Sequence, residues 1–522
     1  MVNVELRDYQ LENAKNHLSI LDTNVCVIDT SEMGDGKSIL VIHDAQKRKC
    51  SLFVVCNTSM IPVWEDLGTE YGIPITTITY DKLRGTRGNF NHPWLELDSD
   101  SKVVPTNKLQ RVIKKGCLFV FDESQAAKNK TKRNVACVAI STAIREAFDS
   151  KNGTRSRIAI LSRTPTSGNN IEFLQLLRIA GIITQDTLVK RASGSYLSTG
   201  FEELRSYCDR LDPKTTRKVI FSADLNCKNA PEYTRDLYVH VIKKHLVTTM
   251  GRGGERTTVL NLFSSLDEEE KEALIEAKKA YSKAEHALNS GEKKGTVLKR
   301  FNILTHRHTV ELVSVSVFAQ LARRVLSANP NCKVILYFWT RAALHKVATL
   351  LEDYNPVVIN GEVSSRTKRS ELLAEFQAPN LDTRVLLTHP EVMGMGVDLG
   401  DNDGGFPRCS FMSPHFHYLP QHQARGRTDR ATNFSPSTFV IVFLEGLEEE
   451  MHLFDRLSDK ADGMRDVIKS QHELKFLPDY PVVYESKAGS DFSLPLQWGK
   501  RNSKPRRRRH CLLREENSSP HE

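Results

Sequence analysis

"TSEMGDGKS", residues 30–38, sets two glycines two positions apart and follows them with a lysine and a hydroxyl residue. The β-branched run "NVCVID" (24–29) precedes it and "ILVIHDAQ" (39–46) follows, so the sequence predicts a strand, a glycine turn and a helix in that order. In such an arrangement the N–H groups of the turn and of the helix start converge on one point. Lys37 and Ser38 then add a positive charge and a magnesium-ligating hydroxyl. The backbone of Gly34, Asp35, Gly36, Lys37 and Ser38 therefore suits a phosphate. The stretch also reads as a plain turn of small residues, because Ser31 stands where the full phosphate-loop pattern has its first glycine.

The 522 residues are enough for several domains with large cores. Lys and Arg number 73 against 64 Asp and Glu, and the resulting charge of +9 permits a polyanionic partner without demanding one. None of the ten cysteines makes a C-x-x-C pair, and Cys26, Cys56 and Cys117 sit inside apolar runs, so reduced buried thiols are expected. "MVNVELRDYQ" at the N-terminus lacks an apolar signal core, and no segment is long enough to span a bilayer. The expectation is a soluble intracellular protein with no membrane partner, and the sequence leaves open whether it works in a nucleus or a viral factory.

Short apolar runs alternate with helix-like stretches in two groups. The first is "NVCVID", "SLFVVC" (51–56), "CLFVF" (117–121) and "RIAILS" (157–162). The second is "KVILYF" (333–338), "PVVIN" (356–360), "RVLLT" (384–388) and "STFVIVFL" (437–444). This pattern predicts two α/β lobes, each a parallel sheet between helices. Between them, "SSLDEEEKEALIEAKKAYSKAEHAL" (264–288) has helical spacing and a charged face, with Ser265 and Glu268 as its expected capping box. The expected division is a first lobe at 1–190, a helical connector at 191–320, a second lobe at 321–470 and a tail at 471–522. The tail's polar, basic composition predicts disorder from about residue 499.

If the first lobe binds a nucleotide, a carboxylate belongs at the end of a later strand. "CLFVFDESQAAKN" (117–129) supplies Asp122 to hold a magnesium shell and Glu123 to accept a proton from attacking water, although an ordinary acidic turn has the same sequence. Far downstream, "QHQARGRTDR" (421–430) sets Arg427 and Arg430 three apart. On one helical face both guanidinium forks would point across a cleft at a γ-phosphate; a basic nucleic-acid face is the alternative.

Taken in order, "LRDYQ" (6–10), "TSEMGDGKS", "LFVVCNTSMIPVWEDL" (52–67), "DESQAAKN" (122–129), "ILSRTPTSGN" (160–169), "GEVSSRTKRSELLAEFQ" (361–377), "VLLTHPEVMGMGVDLG" (385–400) and "QHQARGRTDR" resemble the motif series of superfamily-two helicases of the Swi/Snf-like DNA-translocase group, and the compact set resembles helicases of large DNA viruses. The resemblance covers about residues 5–445. It implies an α/β fold of two RecA-like lobes, with ATP and Mg2+ bound between them and a nucleic acid, double-stranded DNA first, running across both. It gives Gln10 to the adenine edge, Thr58 and Thr164 to the nucleic acid or its coupling, and Gly394 and Gly396 to the nucleic-acid backbone. Asp398 is assigned to the nucleotide side of that loop, and Gln423, Arg427 and Arg430 to catalysis. An RNA-directed helicase, a transcription-associated NTPase and an uncoupled nucleic-acid scaffold remain alternatives.

The chain departs from the pattern at Gln125, where the acidic box usually ends in histidine, at Arg163, where glycine precedes Thr164-Pro165, and at Ser38, where threonine is commoner. Serine keeps the ligating hydroxyl, whereas the other two changes fall where hydrolysis is coupled to strand movement. His306, His308, His415, His417 and His422 lack acidic or cysteine partners at ligand spacing, so no metal centre is expected there. The basic cluster Lys500, Arg501, Lys504 and Arg506–Arg509 reads as a nuclear address, a DNA arm or a charged end.

Overall fold

The computed structural model describes residues 2–485 except 33, 86–89, 91, 152, 164–169, 186–188, 191–195, 198, 221–229, 251–256, 277–295, 364, 394–396, 431–432 and 466–478. Two parallel sheets carry the fold. The first contains β1 (Cys26–Asp29), β2 (Ser51–Cys56), β3 (Ile75–Thr79), β4 (Cys117–Asp122), β5 (Arg157–Leu161) and β6 (Val247–Thr248), in the order β6-β1-β5-β4-β2-β3. β1, β4 and β5 are buried along their whole length, which is why they read as unbroken apolar runs rather than alternating ones. Helix α1 (Asp8–Thr23) packs on this lobe, α2 (Lys37–Arg48) leaves the glycine turn after β1, and α3 (Ile61–Tyr71) follows β2.

The second sheet contains β7 (Thr257–Ser264), β8 (Lys333–Tyr337), β9 (Val357–Ile359), β10 (Val385–Thr388), β11 (Arg408–Met412), β12 (Ser437–Leu444) and β13 (Val482–Tyr484), ordered β9-β10-β8-β11-β12-β7-β13. Every run expected to be a strand is one. The glycine turn and the Asp122–Glu123 turn leave the carboxyl ends of β1 and β4, the side on which ligands of open parallel sheets bind.

The segment 191–320 departs from its reading as a helical connector. β6 pairs in parallel with β1, Ile28 beside Val247 and Asp29 beside Thr248, so this stretch completes the first sheet. β7 pairs with β12 along its full length, from Thr257–Ser437 to Ser264–Leu444, so it belongs to the second. The helices Thr296–Val313 and Val315–Ala328 also pack into the second lobe, where Val310, Val315, Phe318 and Leu321 share a core with Leu336, Val385 and Phe411. Apolar burial assigns these elements to lobes, and the chain passes from one lobe to the other between Thr248 and Thr257.

The helix at 268–276 is capped by Asp267 and Glu270, not by Ser265 and Glu268. Asp267 Oδ1 accepts from the Glu270 amide at 2.8 Å, and Glu270 Oε2 accepts from the Asp267 amide at 2.9 Å. The rest of the charged stretch expected to be helical, residues 277–288, and the tail from 486 lie outside the described residues. Cys26, Cys56, Cys117, Cys137, Cys208, Cys332 and Cys409 are free and buried. Among the described residues no helix is long and apolar enough to cross a membrane.

Candidate functional site

The glycine turn is tied down from below. Asp29, buried at the end of β1, accepts from the Ser31 amide at 2.8 Å and from the Ser31 hydroxyl, which in turn accepts from the Met250 amide at 2.7 Å. His17 from α1 sits between two acids, with Nε2 3.2 Å from Asp29 and Nδ1 2.8 Å from Asp44. Gly34 and Gly36 have φ of +81° and +93°, a region that costs glycine nothing. A Cβ on Gly36 would also fall 2.4 Å from Gln10 Nε2.

Gln10 donates from Nε2 to the Asp35 carbonyl at 2.8 Å and accepts from the Arg7 amide at 2.9 Å, so its amide braces the turn from outside. Lys37 reaches back into the turn, donating to the carbonyls of Ser31 at 2.8 Å and Glu32 at 3.0 Å. Ser38 lies half-buried beside it on the first turn of α2, and Asp35 is buried.

The acid pair lies two strands away in the same sheet. Asp122 ends β4, and its Oδ2 accepts from Trp64 Nε1 at 2.9 Å while its carbonyl accepts from the Tyr80 hydroxyl at 3.0 Å. Burial, and then the charge of Glu123, push its carboxyl up to about 7; Trp64 and Lys37 oppose the rise. Glu123 has a φ of +53°, a left-handed conformation that a non-glycine residue adopts at a cost. Gln125 Nε2 donates to Glu123 Oε2 at 2.5 Å, and the Ser162 hydroxyl donates to Gln125 Oε1 at 2.5 Å. The residue that replaces histidine thus links the acid pair to the end of β5.

From the second lobe come the arginines. The helix Tyr418–Arg425 stops at Arg425, so Arg427 and Arg430 do not share a helical face as expected. They project from the turn and loop that follow, because the chain leaves the helix at Gly426 and the Arg427 carbonyl accepts from the Leu399 amide at 3.0 Å. A Cβ on Gly34 would lie 2.7 Å from Arg430 Cδ, so the Arg430 side chain rests on the glycine turn of the other lobe. Arg430 also donates from Nη2 to the Val397 carbonyl at 3.2 Å. Arg427 is buried, and burial followed by the nearby Arg430 lowers its guanidinium to about 10, with Glu123, Tyr337 and Asp398 holding it charged. Its charge therefore faces Glu123 of the first lobe.

No protein-family model matches the chain. A protein of Acanthamoeba polyphaga mimivirus named "Putative ATP-dependent RNA helicase" is 20% identical over 487 residues, covering 88% of this chain and 82% of the relative. Among solved structures, the Sulfolobus solfataricus SWI2/SNF2 ATPase core in complex with double-stranded DNA aligns at 14% identity, with a TM-score of 0.32, over 90% of this chain and 98% of that one. S. cerevisiae Dbp5 bound to RNA and ADP BeF3 aligns at 10% identity, with a TM-score of 0.44, over 92% and 94%.

The other residues expected at the site fall in different places. Gln423 is buried on the Tyr418–Arg425 helix. Asp398 organises its own loop: its carboxylate accepts from the Gly400 amide at 2.9 Å and from Asn402 Nδ2 at 3.3 Å, while its charge faces Arg427. Thr58 is exposed on the turn Thr58–Met60 after β2. Thr164, Gly394 and Gly396 lie outside the described residues.

Trp64, quoted for its motif alone, proves to be the side chain that holds Asp122. Its burial beneath the acidic strand was foreshadowed only by the apolar spacing of α3. His415 stacks on Trp339 with ring centroids 4.2 Å apart, and His422 stacks on Tyr418 at 6.1 Å.

Proposed function

We propose that the chain is an ATP-driven nucleic-acid motor whose hydrolytic site forms between the two lobes. The observation that carries this reading is Arg430 of the second lobe lying against Gly34 of the first, in a turn that already holds Lys37. In this reading the turn amides and Lys37 bind the β- and γ-phosphates, Glu123 accepts the proton of the attacking water, and Arg427 and Arg430 stabilise the charge that develops on the γ-phosphoryl group. Gln125 orients Glu123.

Ser38 and Asp122 would hold Mg2+. Among the described residues no group of three His, Cys, Asp or Glu side chains forms a metal cage, and a hydroxyl with one carboxylate is a donor set that phosphate oxygens and water complete around this hard cation. Bound there, the ion would neutralise phosphate charge.

Hydrolysis would drive the lobes along a nucleic acid, for which we favour double-stranded DNA from the Swi/Snf-like motif series. The name of the mimivirus relative favours RNA as the second reading. Steady-state ATPase assays with duplex DNA, single-stranded RNA or neither decide between them: stimulation by RNA alone replaces the DNA reading. No turnover under any condition replaces the motor with a scaffold.

A further inference from the structure

Glu32 occupies the glycine turn two residues before Gly34, and its carboxylate meets arginines from both lobes. Arg163, at the end of β5 in the first lobe, places Nη2 2.5 Å from Glu32 Oε1. It also donates from Nη1 to the Thr30 carbonyl at 3.4 Å. Arg425, the last residue of the second-lobe helix, places Nη2 3.7 Å from Glu32 Oε2. Arg425 is itself fixed in the second lobe, since its Nη1 donates to the Tyr480 hydroxyl and its guanidinium stands over the Tyr480 ring at 5.6 Å. Tyr480 in turn accepts at its carbonyl from Asn261 Nδ2 of β7 at 3.2 Å.

Both guanidinium groups are buried, at 2% and 5% exposure, while the Glu32 side chain keeps 31%. Buried cations of this kind are costly without a shared anion, and Glu32 is that anion. Burial alone would raise its carboxyl, but Arg163 and then Arg425 outweigh burial and hold it at about 2.

Resting on the motor reading above, we infer that Glu32, Arg163 and Arg425 form an interlobe bridge that sets the second lobe against the glycine turn and so positions Arg427 and Arg430. The argument is one of short chain distance. Arg425 lies two residues from Arg427 and five from Arg430, so the ion pair that locates Arg425 also locates both. On the other side, the Glu32 carbonyl accepts from Lys37, so one residue contacts the phosphate-directed lysine with its backbone and the opposite lobe with its side chain. Arg163 stands where the resembling family has glycine, which makes the bridge a property of this chain's own residues. These are positioning residues; none of the three needs to touch the reacting atoms.

The test compares Glu32→Gln, Arg425→Gln and the double variant, measuring kcat and KM for ATP and the ATP-dependent energy transfer between dyes placed on the two lobes. The expected result is a loss of kcat of about tenfold in each single variant, with KM changed by less than about threefold, and a reduced ATP-dependent change in energy transfer. The double variant loses no more than the worse single, because both substitutions break one bridge. If Glu32→Gln does not fold, Arg425→Lys keeps the charge without the planar fork and serves in its place, with a smaller loss of kcat. Additive losses, or wild-type kcat and energy transfer in the single variants, overturn the bridge. Loss of turnover in Lys37→Ala with wild-type behaviour in Glu32→Gln removes the bridge and leaves the motor reading standing. A chain without turnover removes the motor reading, and the energy-transfer change still reports on the bridge.

Discussion

Arg430 of the second lobe lies over Gly34 of the first so closely that a Cβ on Gly34 would stand 2.7 Å from Arg430 Cδ. Glycine is required there twice, by the close approach and by its φ of +81°. Arg430→Ala should cut ATP turnover by about a thousandfold, the loss typical of an arginine finger, while nucleotide affinity falls far less. Arg430→Lys should recover little, since a point charge does not reproduce the guanidinium fork. Turnover and nucleotide binding measured on the same preparations check both statements; equal losses in the two would assign Arg430 to ground-state binding.

Glu123→Gln should retain ATP binding and stop turnover, because an amide holds a water molecule but accepts no proton from it. The Gln125 amide that donates to Glu123 would face the new side chain without a carboxylate to pair with, yet the glycine turn would be untouched. Equilibrium binding with a fluorescent nucleotide, alongside an assay of released phosphate, separates these effects. Loss of binding would make Glu123 a structural acid.

Trp64→Phe keeps the buried ring and removes the donor to Asp122. A buried group that loses its hydrogen-bond partner costs about 1–3 kcal/mol, so the denaturation midpoint should fall by a corresponding amount. Asp122, already raised by burial and by Glu123, should rise further. Chemical denaturation of the two proteins measures the cost, and an unchanged midpoint would show that the Trp64 donor contributes nothing to stability.

His17 links stability to pH in the alkaline range. Burial lowers its pKa, but Asp44 and Asp29 together outweigh burial and raise it to about 10. A histidine raised in the folded state contributes stability that is complete below its unfolded value of about 6.5 and is lost as pH climbs toward the folded value. Thermal midpoints should therefore fall between about pH 6.5 and 10, and His17→Asn should flatten that slope. Asp29 has the opposite sign: burial raises its carboxyl, but its partners, His17 and then Lys37 foremost, outweigh burial and lower it, so its contribution disappears as pH drops through the carboxylate range. A wild-type slope in His17→Asn would place the titrating group elsewhere.

The strands, the glycine turn and the order of the motifs were determined by the sequence itself, because each depends on neighbours within a few residues. β-branched apolar runs bounded by turns mark buried parallel strands, and two glycines before Lys37 mark the turn that follows β1. Tertiary structure decided what depends on pairing across the chain. β7 mixes Val259, Leu260, Leu262 and Phe263 with polar residues, and its lobe is set by a ladder to β12, whose residues lie 180 positions away. Arg427 and Arg430 kept their spacing yet left the helix, because the Leu399 amide holds the chain beyond Gly426. The contacts of Arg430 with Gly34, Trp64 with Asp122 and Glu32 with Arg425 join residues whose separation carries no periodicity. Only packing one lobe against the other, and one helix against one strand, brings those side chains within reach.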